Sequence, residues 1–242
     1  MDLGISGKVA LVTAASKGLG RASAAALREE GVHVAICARG KEALDATVDE
    51  LGGPAEVLGI VADVTEERAP ARLVAATVER FGALDILVAN AGGPPPGRAL
   101  DLSDDQIATA LNANLTTTVR LVRDAVPHMA GRGWGRVCCI TSYTVKQPIP
   151  SLALSNLART GLWAWAKTAS QDLAASGITV NLACPGPHAT ERMRQLGGAG
   201  DGAALGDPAD FGKVVAFLCS APASFVNGVA LQVDGGAVLG LL

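Results

Sequence analysis

The sequence predicts one α/β domain built as a doubly wound, seven-stranded parallel sheet flanked by helices. Three observations predict it. Short apolar, β-rich runs alternate with longer helical patterns along the whole chain, as strands joined by crossover helices do. A glycine loop joins the first run to the first helical pattern, at a place where such sheets bind ligands. The 242 residues are enough for one large core, and no linker, long-period repeat or low-complexity block divides them. The domain is read as residues 1–242.

Lys8 to Thr13 (KVALVT) is the first strand, and it ends in Ala14-Ala15-Ser16-Lys17-Gly18-Leu19-Gly20 before an Ala-rich helix running to Glu30. Glycines let a backbone come close to a phosphate, and a helix start offers free N–H groups and a positive dipole end. His33 to Ala38 is the second strand, followed by Arg39 and a helix over Lys41 to Leu51. An acidic residue after that strand would suit the ribose hydroxyls of NAD. Arg39, with Lys17 as a second cation, suits a 2′-phosphate, so NADP is favoured over NAD. Glu56 to Val61 is the third strand, ending in Asp63-Val64, and Thr65 is placed as the cap of a helix to Arg80.

Leu84 to Ala89 is the fourth strand and runs into Asn90-Ala91-Gly92-Gly93 and Pro94-Pro95-Pro96-Gly97, a stiff loop at a strand's C-terminal end. Ser103 to Ala130 reads as one long helical stretch carrying Asn112 and Asn114, and Arg136 to Thr141 is the fifth strand. Ile178 to Ala183 is the sixth, leading into Cys184-Pro185-Gly186-Pro187-His188-Ala189-Thr190. Residues 187–206, with the run Gly197 to Gly202, read as a mobile segment able to close over a site. Asp207-Pro208 opens a helix to Ser220, and Val229 to Val233 is the seventh strand.

Composition narrows the partners. A net charge of −3 without a basic run argues against nucleic acid or an anionic membrane, and favours a small molecule. No apolar segment reaches a membrane span, and the first residues lack a leader pattern. The five cysteines have no CxxC spacing and sit mostly in apolar runs, as reduced thiols of a cytoplasmic protein would. No His, Cys or carboxylate cluster has metal-ligand spacing, so no metal is expected.

The chemistry concentrates between Arg136 and Lys167. Thr141 and Ser142 leave the fifth strand, and Ser155 and Arg159 lie one turn apart on a helix face. Tyr143, the one tyrosine, and Lys146 follow Ser142, with Gln147 beside them. His188 is a further acid–base candidate, although a lone loop histidine is more often structural. His33 and His128 carry no supporting context. Trp163 and Trp165 fall on different sides of their helix, so at least one belongs to the core or a subunit interface.

Over nearly its whole length the chain resembles the short-chain dehydrogenase/reductase family. The resemblance rests on TAASKGLG (Thr13 to Gly20), Asp63-Val64, Asn90-Ala91-Gly92, Asn114, Ile140-Thr141-Ser142, Pro185 to Thr190, and Val233 to Gly236. It implies a Rossmann-type fold with the glycine loop on the cofactor pyrophosphate, Asp63 on the adenine amino group and Asn90 to Gly92 along the adenosine. It places Pro185, Gly186 and Thr190 at the nicotinamide amide. It also implies a homo-oligomer, dimer or tetramer, formed through the apolar tail Ala237 to Leu242. Ala14 stands where the family usually has its first glycine.

The resemblance assigns Ser142 to the catalytic serine and Asn114 to the assisting asparagine, but the family's YxxxK reads SNLAR here. Ser155 takes the tyrosine position and Arg159 the lysine position. A phenol titrates near ~10 and a cation can bring it towards neutrality, whereas an aliphatic hydroxyl is far less acidic. Arg159 keeps the positive charge and can hold the nicotinamide ribose, but it gives up no proton at ordinary pH. Tyr143, Lys146 or water is therefore the expected proton donor of an NADP-dependent enzyme acting on a small carbonyl or alcohol. Two alternatives stay open: a non-redox cyclisation, dehydration or isomerisation on the same fold, and a catalytically silent binding or partner subunit.

Overall fold

The computed structural model describes residues 1–198 and 204–241. β1 (Val9–Val12) is buried at all four residues and leads through the glycine loop into α1 (Gly18–Glu29). β2 (His33–Ala38), α2 (Lys41–Glu50), β3 (Val57–Val61), α3 (Ala69–Phe81) and β4 (Ile86–Ala89) complete the first half. The second half contains α4 (Asp104–Leu111), α5 (Thr117–Ala130), β5 (Gly135–Ile140) and α6 (Ala153–Leu173). It ends with β6 (Ile178–Pro185), α7 (Glu191–Gln195), α8 (Pro208–Leu218) and β7 (Ala230–Val233).

The seven strands lie in the order β3-β2-β1-β4-β5-β6-β7, and every pairing is parallel. Successive strand side chains point to opposite faces, and both faces are covered, so the central strands are apolar throughout. On one face Ala10, Val12, Cys138 and Ile140 pack with Leu27 of α1, Leu44 of α2 and Phe211 of α8. On the other, Leu11, Val137 and Cys139 pack with Leu73 of α3, Leu121 of α5 and Leu162 of α6.

Two local expectations are corrected. Thr65 does not cap α3, which starts at Ala69; its N–H and hydroxyl both bind Asp63 Oδ1, at 2.9 and 2.8 Å. The carboxylate captures the hydroxyl in an Asx-type turn. The stretch from Ser103 to Ala130 is not one regular helix, because a π turn at Asn112–Thr116 separates α4 from α5. Such an extra residue in a helix often marks a functional position. In the segment read as 187–206, α7 is formed and His188 bridges Gly206 in a short parallel pairing. Ala199 to Ala203 lie outside the described residues.

The sheet reverses its winding between β1 and β4, which opens a crevice at their C-terminal ends. A polar staple holds its two walls together. Asn90 N–H donates to Thr13 Oγ1 at 2.8 Å, the Thr13 hydroxyl donates to Asn90 O at 2.7 Å, and Asn90 Nδ2 donates to Ala14 O at 3.1 Å. Ala14 itself sits at φ +48°, the one non-glycine residue with positive φ among the described residues. A Cβ in the left-handed region costs ~1–2 kcal/mol. Ala14→Gly is therefore expected to raise stability by about 1 kcal/mol, a melting shift of about 2–4 °C for a domain of this size, measurable by thermal unfolding.

Candidate active site

A cleft of about 950 Å³ runs over the C-terminal ends of the strands, towards the upper end of the ~300–1,000 Å³ typical of small-molecule sites. Ser16, Lys17, Gly18 and Leu19 form one end of it, at the start of α1. Thr13 and Gly20 lie behind this loop instead of on the cleft. A Cβ on Gly20 would stand 2.6 Å from both Ala14 O and Asn90 Nδ2, so glycine is required there for the loop to close on α1.

Arg39, Asp63 and Val64 line the same end, and Asn90, Ala91 and Gly92 line the middle. The Thr65 N–H holds the Asp63 carboxyl below its ordinary range, helped by the Thr65 hydroxyl and Arg39 and opposed by partial burial. Arg39 Nη1 lies 3.8 Å from Asp63 Oδ2, with its side chain largely in solvent. Lys17 Nζ is 2.6 Å from Glu191 Oε2 on α7. Both candidate phosphate cations thus face the cleft while paired to a carboxylate.

Ser142, Tyr143, Ser155, Arg159, Pro185, Gly186 and Thr190 also line the cleft, with Thr190 beside Gly18 of the glycine loop. Ser142 Oγ accepts from Thr144 N–H at 3.2 Å, which leaves its own proton free to donate. Ser155 makes no side-chain hydrogen bond among the described residues, although it is mostly buried. Arg159 is buried, and its Nη1 donates to Ile140 O at 3.1 Å and Thr141 O at 2.8 Å. Burial, and then the like charge of Arg192, push its guanidinium down to about 10, still charged at neutral pH. Burial, and then the Asp234 carboxylate, push the Tyr143 phenol up.

Lys146, an expected proton donor, and its neighbour Gln147 are absent from the cleft wall. Lys146, at the end of the 3-10 turn over Tyr143–Val145, is a half-buried residue whose Nζ lies 5.5 Å from the centroid of the Trp163 ring. Gln147 holds the C-terminal tail, with Leu239 N–H donating to its Oε1 at 2.8 Å. Asn114 is buried in the π turn and does not line the cleft. Its Nδ2 reaches Ala110 O at 3.4 Å, and its Oδ1 is buried without a partner. His188 does line the cleft, but its Nδ1 pairs with Gly186 O at 3.0 Å and its ring packs edge-on against Phe211. Trp163 and Trp165 are both partly buried against the core.

A family model described as Enoyl-(Acyl carrier protein) reductase matches residues 13–238. Dehydrogenase/reductase SDR family member 4 of Sus scrofa is 35% identical over 95% of this chain and 86% of its own length. The Bos taurus protein of the same name is 33% identical over 96% of this chain and 87% of its own. The chain belongs to the short-chain dehydrogenase/reductase family. L-sorbose reductase from Gluconobacter frateurii, solved with NADPH and L-sorbose, matches the structure at a TM-score of 0.92 and 29% identity, with both chains fully covered. A Thermus thermophilus protein matches at 0.85 and 33% identity, over 95% of this chain and 98% of that one.

Within this oxidoreductase family, the site of this member includes a residue that sequence reading missed. Arg192, on α7, crosses the cleft to donate from Nη2 to Pro94 O at 2.6 Å. It packs on Gly93, where a Cβ would meet its Nε and Nη2 at 3.1 Å. Its place two residues after the Thr190 motif position, in the charged run ERMR, was the available signal. The cysteines offer no nucleophile: all five are buried, and burial pushes Cys37 and Cys184 up to about 11.

The two arginines differ in what they do for the fold. Arg159→Met removes two charge-assisted bonds to backbone carbonyls, partly offset by relieving a buried charge, and is expected to cost about 2 kcal/mol. Arg192→Met, at the cleft rim, is expected to change stability by less than about 0.5 kcal/mol. Chemical denaturation of both variants checks the contrast.

Proposed function

We propose that this protein is an NADPH-dependent reductase of small carbonyl compounds, working with a substituted acid set. The observation that carries the reading is that Ser142, Tyr143 and Ser155, all hydroxyl-bearing, line the same cleft as the glycine loop, Asp63 and Thr190. The residues fit a nicotinamide dinucleotide. The backbone N–H groups at the start of α1, where Ser16 to Leu19 line the cleft, suit a pyrophosphate, and Asp63, ionised and fixed by Thr65, suits an adenine amino group. Pro185, Gly186 and Thr190 suit the nicotinamide amide. Lys17 and Arg39 favour NADP over NAD, as does the NADPH found with the sorbose reductase.

Such a cofactor supplies hydride when bound. The chain's own residues would prepare the substrate oxygen and give it a proton. Ser142 and Ser155 each have an O–H free to donate to a carbonyl oxygen, and preorganised donors of this kind stabilise developing negative charge. Tyr143, a neutral phenol, would deliver the proton. Arg159 would support the oxyanion and the nicotinamide ribose by charge and by its N–H groups not used on β5, without giving up a proton. Asn114 Oδ1, buried and unpartnered, would accept from a water that replenishes the proton. A homo-oligomer would form through the exposed Leu239 and Leu241 of the tail, and the five free buried thiols suit a reducing cytoplasm.

The test is cofactor consumption by the purified protein across a panel of small ketones and aldehydes. Turnover is expected with NADPH, and Tyr143→Phe is expected to lower kcat about 100-fold with NADPH affinity unchanged. A product of unchanged oxidation state formed without cofactor loss would point instead to the non-redox reading. The pH profile has a defined sign. The phenol is shifted above its ordinary value near ~10, so the acid form persists throughout pH 6–9 and reduction should stay flat there, falling only above about pH 10. The reverse oxidation, which needs the phenolate, should rise with pH across the same range. A reductive limb falling between pH 7 and 8 would exclude Tyr143.

A further inference from the structure

We infer that the substrate carries a carboxylate or equivalent anionic group, held at the rim of the cleft by Arg192 above the buried charge of Arg159. This rests on the reductase reading and names its substrate class. Four cations line the cleft, Lys17, Arg39, Arg159 and Arg192, against two carboxylates among the described residues, Asp63 and Glu191. Those two carboxylates are already matched: Asp63 with Arg39 at 3.8 Å and Glu191 with Lys17 at 2.6 Å. Arg159 and Arg192 have no carboxylate partner among the described residues.

The two unmatched guanidiniums both line the cleft, and the charge of Arg192 is felt at Arg159. Arg159 sits under Ser142 and Ser155, bound only through Nη1 to the Ile140 and Thr141 carbonyls. Arg192 reaches over from α7, bound only through Nη2 to Pro94 O. Their mutual repulsion lowers the Arg159 guanidinium beyond what burial does. Two like charges kept together around a cavity, each with N–H groups unused, are stabilised when an anion enters between them. A guanidinium matches a carboxylate with two parallel N–H donors, and Arg192 keeps its Nε and Nη1 donors without a partner among the described residues. A ketone or aldehyde bearing a carboxylate places its acid on Arg192 and its carbonyl near the serine hydroxyls.

Calorimetric titration of the full chain, with and without NADPH, with acetoacetate and levulinate against their methyl esters tests this. At least one acid is expected to bind about tenfold or more tightly than its own ester. Arg192→Met should bring acid and ester within about twofold while leaving NADPH affinity within about twofold, and Arg192→Lys should retain part of the preference. Equal binding of acids and esters, no binding of either acid, or a variant that loses NADPH instead of the acid preference overturns the inference, the last by assigning Arg192 to the cofactor. An acid preference in a protein that never binds NADPH would sink the reductase reading and leave the anion site standing.

Discussion

The functional end of this molecule depends on one buried cation. Arg159 is buried at the cleft wall, and the two carbonyls it binds belong to Ile140, the last residue of β5, and Thr141, which leads to Ser142. A buried charge is tolerated only with good hydrogen bonds around it, so helix α6 is fixed against the end of β5 by this contact. That fixes Ser155, one turn before Arg159, on the same wall as Ser142 and Tyr143. Arg159 is thus a structural clamp and a buried positive charge on the cleft to which the proposed chemistry is assigned.

A second constraint operates at the switch point of the sheet. Thr13 and Asn90 exchange hydrogen bonds across β1 and β4, and Asn90 also fixes Ala14 O. The glycine loop is therefore held from behind even though Ala14 occupies a left-handed conformation that glycine would take without strain. The loop's shape survives the substitution because the staple and the glycine at 20, not the residue at 14, determine how closely it approaches α1.

Much of this was legible in the sequence. Alternating apolar runs and helical patterns located all seven strands, because strands buried on both faces have no choice but to be apolar. Spacing placed Ser155 and Arg159 together, since i and i+4 share a helix face, and the family resemblance set Ser142 beside them. What sequence could not supply was side-chain direction and long-range partners. Lys146 follows Ser142 closely in the chain, yet at the end of a 3-10 turn its Nζ lies over Trp163. Thr65 looked like a helix cap because a Thr before a helical pattern and an Asp two residues ahead of it are competing local signals, and the Asx turn to Asp63 prevails. Arg192 meets Pro94 from 98 positions away, a contact that no local pattern encodes.

The central claim is that this cleft still transfers hydride although Ser155 and Arg159 stand in place of the usual tyrosine and lysine. The most direct measurement is turnover of a small keto acid with NADPH carrying deuterium at the transferring position of nicotinamide C4, followed by mass analysis of the product. The account predicts one deuterium on the carbinol carbon for each NADPH consumed. Product without deuterium, or unchanged cofactor beside a product of the same oxidation state, would contradict it.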